Sequence, residues 1–99
     1  MNLTEPDQPD NFNEIRFTRK TFEDAFGFEC MKMAYKLRLK GRMDYGPDMK
    51  SVIQLQGNSE DKSKFLNWLR LNIEESLESI DYINSDSNNN FDEFDIYRH

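Results

Sequence analysis

The chain has 99 residues and a formal net charge of −6. This length fits one domain with a modest hydrophobic core. The acidic balance disfavours nucleic acid and anionic membranes as partners, because both attract a positively charged surface. Cys30 is the one cysteine, so we expect neither an intrachain disulfide nor a cysteine-based metal site.

The amino-terminal residues, MNLTEPDQPD, lack the basic segment and apolar run of a signal peptide. No apolar stretch approaches the length of a membrane span. We therefore expect a soluble cytoplasmic protein that is monomeric by default. Residues 1–13 are polar and lack hydrophobic periodicity, which predicts a flexible tail followed by a domain at residues 14–99.

Periodicity in the first half of the chain predicts a strand, a helix and two more strands. The first strand lies within residues 14–21, where Ile15 and Phe17 alternate with polar residues. A loop over residues 22–27 leads to a helix over residues 28–38, and Gly41 is the permissive residue after its end. The second strand is expected at residues 42–45 and the third at 50–56, with a Gly-Pro-Asp turn between them.

The second half predicts one long helix and two final strands. Asn58 or Ser59 can cap the helix, and an apolar stripe runs along it. A strand at residues 80–84, a polar loop at 85–90 and an edge-type strand within 91–97 complete the chain. The order is that of a split βαβ, ferredoxin-like α+β sandwich with an antiparallel sheet and two helices on one face. The expected core comprises Ile15, Phe17, Met33, Ala34, Leu37, Ile53, Leu55, Phe65, Leu69 and Ile80.

Several short segments, in this order and spacing, resemble the acylphosphatase family. Phe26-Gly27-Phe28 matches the V-G-F of the family's loop-to-helix signature, and Leu39-Lys40-Gly41 matches its L-x-G. Gln56-Gly57 precedes the second helix as in the family. The remaining matches are Phe65-Leu66-x-Trp68-Leu69, Ile80-Asp81 and Phe94-Asp95-Ile96-Tyr97, so the similarity spans about residues 15–97.

The resemblance implies a phosphate-binding loop, but with altered side chains. The expected loop residues are Glu23, Asp24, Ala25, Phe26, Gly27 and Phe28. Glu29 stands where the family has a phosphate-holding arginine, and Tyr45 where it has a water-positioning asparagine. Glutamate cannot supply the bidentate guanidinium fork, and tyrosine lacks the paired donor and acceptor of an amide. We therefore expect no catalytic residues, and neither a cofactor nor a metal.

Two functions remain open. The first is a catalytically degenerate acylphosphatase-like module that binds a protein partner. The alternative is an active hydrolase of acyl phosphates with a relocated cation, for which the candidates are Arg16, Arg19, Lys20 and Arg42. A basic head group near the backbone N–H groups of residues 24–28 would favour the hydrolase.

Other reactive groups favour structural interpretations. Cys30 lies on the inner face of the first helix, which is typical of a small buried hydrophobic residue. His99 is the last residue, and a free terminus cannot supply the fixed imidazole of a catalytic triad. Asp86, Asn88, Asn90 and Asp92 have the spacing of a calcium loop. Residues 91 and 97 lack the required glycine and glutamate, so a solvated turn is predicted.

Overall fold

The computed structural model describes residues 12–20, 24–46, 48–73, 77–84 and 91–99. Its elements are β1 (Glu14–Arg19), α1 (Asp24–Lys36), β2 (Lys40–Tyr45), β3 (Lys50–Gln56), α2 (Ser59–Ile73), β4 (Leu77–Ile83) and β5 (Phe94–Arg98). The strands form one open sheet in the order β4-β1-β3-β2-β5, which makes β4 and β5 its edges. The predicted ferredoxin-like α+β architecture is confirmed. Residues 1–11, Glu23 and the predicted loop at 85–90 lie outside the described residues.

One correction concerns the direction of the last strand. β1 pairs antiparallel with β3 and β4, and β2 pairs antiparallel with β3. β5 instead runs parallel to β2, from Gly41↔Phe94 to Tyr45↔Arg98, so the sheet is mixed. The alternation of apolar and polar residues assigns the two faces of a strand but not its direction, and the sequence pattern therefore could not show this.

Both helices pack on the same face of the sheet. The ring of Phe65 on α2 lies 6.4 Å from the ring of Phe94 on β5, between centroids. A Cβ placed on Gly27 of α1 would lie 3.5 Å from Ile96, two residues along the same strand. Because alternate residues of a strand share a face, α1 and α2 cover one side. No helix among the described residues covers the other side, which we call the open face.

Helix α1 begins four residues earlier than predicted. Residues 24–27, which were expected to form a loop, are its first turn. Gly27 suggested a flexible segment, but it lies inside the helix, where a Cβ would approach Tyr45 Cε1 to 3.2 Å. The glycine therefore permits close packing of the helix on the sheet rather than a turn.

Arg38, not Gly41, is the left-handed residue at the end of α1. Its φ is 61°. The N–H of Leu39 donates to the carbonyl of Ala34 at 2.8 Å, and the N–H of Arg38 donates to that of Tyr35 at 3.1 Å. These two bonds form a Schellman motif. Gly41 lies within β2, where an added Cβ would be only 1.8 Å from the carbonyl oxygen of Gln54.

The core lies between the helices and the sheet. Seven of the ten expected core residues are buried, and Met33, Leu37 and Ile80 are partly buried against them. Further buried residues lie outside the expected list: Phe12, Phe26, Leu39, Met43, Tyr45, Leu66, Ile73 and Phe94. The predicted cap of α2 is present, because the side-chain oxygen of Asn58 accepts the N–H of Asp61 at 2.8 Å.

Two residues assigned to the tail pack on the domain. The side chain of Phe12 is buried, and Lys62 Nζ donates to its carbonyl at 2.7 Å. The N–H of Asn13 donates to Ile83 O at 3.0 Å, and its carbonyl accepts the N–H of Leu55 at 2.9 Å. The packed part of the chain thus includes residues 12 and 13.

Candidate functional site

The candidate site lies at the end of the sheet where β1 leads into α1. Arg19 ends β1, Tyr45 ends β2, and Arg98 ends β5 beside Tyr45. Phe26 and Gly27 belong to the first turn of α1, above the same end of the sheet. We define the candidate site as these five residues. A helix amino terminus at this point offers unpaired N–H groups, which favour a bound anion.

Tyr45 fills the space beside the first turn of α1. Its side chain is buried, and its Cε1 atom lies within 3.2 Å of where a Cβ on Gly27 would be. Its hydroxyl accepts a hydrogen bond from Arg98 Nε at 3.4 Å. Position 45 is therefore next to the first turn of α1. An aromatic ring lies there, and a compact amide would leave more room for substrate and water.

Arg19 places a positive charge next to the start of α1. The side chain is 7% exposed, and its guanidinium carbon lies 4.4 Å from the centroid of the Phe26 ring. Arg19 also acts on Cys30 in the second turn of α1. Burial raises the pKa of the Cys30 thiol, and the charge of Arg19 acts in the opposite direction. Among the four candidate cations, Arg19 is the one whose described contacts reach α1.

Arg16 and Arg42 lie on the open face of the sheet, away from the helix. Arg16 is exposed and donates to Glu14. Arg42 donates to both carboxylate oxygens of Asp44, at 2.8 and 2.6 Å, and lies over the Tyr97 ring at 4.0 Å. Both arginines are therefore unsuited to replace the family's phosphate-holding arginine.

The remaining predicted positions are mostly exposed and lie on or just before α1. Glu29 is exposed in the second turn of α1, where its Oε2 lies 3.3 Å from Lys32 Nζ. Ala25 and Phe28 are exposed, Phe26 is buried, and Lys20 is exposed just after β1. Glu29 therefore pairs with Lys32 on the exposed side of α1.

Asp44 organises a charged cluster on the open face that the sequence did not indicate. Burial raises its pKa, but hydrogen bonds from Arg42 and His99 outweigh this effect and hold the pKa below its usual value. The same hydrogen bond raises the pKa of Arg42. His99 was expected to be a free terminus. Its N–H donates to Tyr45 O at 2.7 Å, and its Nε2 lies 2.8 Å from Asp44 Oδ1.

A shallow pocket of about 350 Å³ opens beside this cluster. Its lining includes Asp44, Tyr45, Asp48, Lys50 and His99. Within the described ranges, no group of three or more His, Cys, Asp or Glu side chains is placed to hold a metal ion. In the same part of the chain, no helix is long and apolar enough to cross a membrane.

The fold is that of an acylphosphatase-like α+β domain. The acylphosphatase from Bacillus subtilis superposes with a TM-score of 0.72 at 19% identity, covering 84% of this chain and 93% of that one. An acylphosphatase from Coxiella burnetii gives 0.70 at 15% identity, covering 87% and 93% of the two chains. Full-length HypF, in its phosphate- and nucleotide-bound form, gives 0.67 at 17% identity. That match covers 87% of this chain and 12% of HypF.

At these identities the likeness shows the fold. No protein-family model matches the sequence, and no curated protein sequence matches it.

Proposed function

We propose that this protein is a catalytically degenerate acylphosphatase-like module that acts by binding another protein. The observation that carries the proposal is the buried ring of Tyr45 against the first turn of α1. An amide side chain carries its hydrogen-bond acceptor and its donors on two separate atoms, whereas a phenol has a single oxygen for both roles. A phenol ring packed on Gly27 supplies one hydroxyl and occupies the space beside the helix start.

The position of Arg19 also supports this proposal. Its guanidinium group covers Phe26 and is almost fully buried. Because the Arg19 side chain is only 7% exposed, a phosphate at the helix start would have to reach a guanidinium group that the surrounding protein covers. Displacement of a catalytic group by about 1 Å can lower a rate by about a hundredfold. An arginine beside the helix is therefore insufficient for efficient acyl phosphate hydrolysis.

One observation favours the alternative, an active hydrolase of acyl phosphates. Arg19 is a cation next to the first turns of α1, which is the feature the hydrolase requires. In that case its guanidinium group would stabilise the charge that develops on the phosphate oxygens.

Hydrolysis of benzoyl phosphate by the purified protein separates the two functions. We expect no turnover above the spontaneous rate, with an active acylphosphatase as the positive control. Arg19→Gln is compared with Arg16→Gln, which removes a cation from the opposite face of the sheet. Thermal melting confirms that both variants fold. Wild-type turnover that Arg19→Gln abolishes and Arg16→Gln preserves would establish the hydrolase and contradict the proposal.

The paired change Glu29→Arg with Tyr45→Asn restores the family's side chains at both positions. We expect partial recovery of hydrolysis at most, because residue 29 lies in the second turn and on the outer side of α1. Recovery to the rate of an active acylphosphatase would show that these two side chains alone account for the difference.

We further propose a monomeric cytoplasmic domain whose partner is a protein rather than nucleic acid or a membrane. The net charge of −6 supports this choice, because polyanions are repelled by an acidic molecule. The buried thiol of Cys30 is compatible with a reducing compartment. Light scattering coupled to size exclusion measures the oligomeric state, and a mass twice that of the chain would contradict a monomer.

A further inference from the structure

The outer side of α1 carries a stripe of two aromatic residues and a lysine. Phe28, Lys32 and Tyr35 are spaced four and three residues apart, so they share one helix face. Phe28 and Tyr35 are 52% and 51% exposed. Cys30 and Ala34, which pack in the core, lie on the opposite side. The core therefore does not account for the two rings, and we name Phe28, Lys32 and Tyr35 the α1 stripe.

The stripe lies in the most basic part of an acidic molecule. Residues 25–40 carry four basic residues and one acid, a net charge of +3, so the rest of the chain carries −9. The four basic residues, Lys32, Lys36, Arg38 and Lys40, are all exposed. Such a separation of charge guides a partner of opposite sign to one side of the protein.

We propose that the α1 stripe binds a short acidic segment of a partner protein, with apolar side chains between its carboxylates. This inference rests on the proposed binding function and specifies the chemical character of the partner. The two rings supply apolar area, and aromatic residues are enriched at the centres of protein interfaces. Lys32 within the stripe and Lys36, one turn further along α1, complement the carboxylates.

The contacts of Lys32 suit an exchange of ion pairs. Its Nζ lies 3.3 Å from Glu29 Oε2 and 5.3 Å from the centroid of the Phe28 ring. Exposed ion pairs of this kind contribute little to stability. An incoming carboxylate can therefore pair with Lys32 while an apolar neighbour covers Phe28.

The size of the stripe favours a peptide over nucleic acid. Phe28 and Tyr35 are seven residues apart, which corresponds to about 10 Å along a helix. A peptide of about ten residues spans this distance. Nucleic acid binding draws its affinity from many phosphate contacts along a longer basic track. On this protein, a longer polyanion would meet the acidic remainder of the surface.

An NMR titration tests the proposal on the full-length protein. The probe is a synthetic ten-residue peptide in which glutamate and aspartate alternate with leucine and tryptophan. Its twin carries lysine in place of each acid, and a ten-nucleotide oligothymidine and anionic lipid vesicles serve as competing classes of ligand. We expect the acidic peptide to shift the amide signals of residues 28–36, and the shifts to weaken with added salt.

Surface variants on the two helices form a matched comparison. We expect Lys32→Glu and the double change Phe28→Ser with Tyr35→Ser each to weaken binding at least about fivefold. The controls are Lys64→Glu, whose Nζ lies 3.8 Å from Glu60 Oε2, and Leu71→Ser, which is 76% exposed; both lie on α2. We expect neither control to change the affinity by more than about twofold.

Three results would overturn the inference: peptide shifts that map outside residues 28–36, equal losses in the α2 controls, or tighter binding of oligothymidine or vesicles. Its failure is distinct from that of the proposed function. If the protein hydrolyses benzoyl phosphate and also binds the peptide at the α1 stripe, only the proposal that it is catalytically degenerate is overturned. If it shows neither turnover nor peptide binding, only the proposal that the α1 stripe binds an acidic segment is overturned.

Discussion

The two faces of the sheet are built from the same strands but differ in almost every physical property. The covered face holds fully buried rings such as Phe65 and Phe94, together with the side chains of the candidate site. The open face holds charged pairs, with Arg42 and Asp44 at their centre. The face of the sheet on which an arginine lies decides which groups it contacts, even for two arginines that are close in sequence. Arg16 and Arg19 are three residues apart, yet they lie on opposite faces, and only Arg19 reaches α1.

The largest contrast between the two faces is expected from truncating an aromatic residue on each. Phe65→Ala should lower the free energy of unfolding by about 3–5 kcal/mol, because it leaves a cavity against Trp68 and Phe94. Tyr97→Ala on the open face should cost about 1 kcal/mol or less, since its ring is 42% exposed. Urea denaturation measures both values. Equal losses would show that the two faces contribute alike to stability.

The close approach of β2 and β3 gives a second contrast, between two glycines. Gly41→Ala should destabilise the protein by about 3 kcal/mol or more, because the new methyl group would collide with the backbone of Gln54 at 1.8 Å. Gly46→Ala is the control, since the nearest atoms to its added Cβ lie 3.6–3.8 Å away. We expect it to change stability by less than about 1 kcal/mol. A tolerated Gly41→Ala would contradict the register of these strands.

As the pH falls, the open face should lose its contribution to the free energy of unfolding before the covered face does. The folded-state pKa of Asp44 is lowered by Arg42 and His99, so its stabilising contribution is complete above the ordinary aspartate pKa of about 4. That contribution is lost as the pH falls through the lower, folded-state pKa. The stability difference between wild type and Asp44→Asn should therefore shrink below about pH 4.

The variant Arg42→Gln removes the main donor to Asp44 and tests the cause. The loss of stability on acidification should then become smaller, because the folded-state pKa of Asp44 moves back toward the ordinary aspartate value when the two guanidinium hydrogen bonds are removed. Thermal melts from pH 3 to pH 6 measure both variants. A difference between wild type and Asp44→Asn that stays constant over this range would rule out the cluster as an acid-sensitive element.

The smallest expected effect concerns the helix end on the covered side. Arg38→Gly should stabilise the fold by about 0.5–1 kcal/mol, because glycine adopts the left-handed conformation without the cost that arginine bears. Lys32→Gly, within α1, should instead destabilise it by about 1 kcal/mol. Chemical denaturation measures the free energy of unfolding of both variants and shows whether glycine is favoured at position 38 but not at position 32. Destabilisation by Arg38→Gly would mean that the arginine side chain has a packing role.

Much of the fold could be predicted from local patterns. The alternation in β1 and β3 and the apolar stripe of α2 gave the order of elements and most of the core. The start of α1 was wrong because Gly27 was interpreted from sequence alone, and its role depends on Tyr45 from a distant strand. The parallel pairing of β5 was missed for a related reason, since strand direction is set by tertiary contacts.

The candidate site was predicted in part. The resemblance matched Tyr45 to the family's water-positioning asparagine without locating it, and the structure shows that Tyr45 lies against Gly27 of α1. Four cations could not be distinguished without knowing which face each occupies. Alternation along β1 could have separated Arg19 from Arg16, because Arg19 shares its parity with the buried Ile15 and Phe17. The contact between Asp44 and His99 joins residues that are far apart in sequence, so no local pattern could indicate that part of the cluster.

The edge position of β4 has a consequence for how molecules of this protein meet at high concentration. An edge strand presents backbone N–H and C=O groups to which a strand from another molecule can add, which is a common start of aggregation. Glu78 and Asp81 lie exposed on this strand, and two copies meeting edge to edge would bring these carboxylates together. Like charges at short range oppose such pairing, and their protonation or screening by salt removes the opposition. The carboxylates of β4 thus oppose self-association of the protein, and this repulsion is weaker at acidic pH and in concentrated salt.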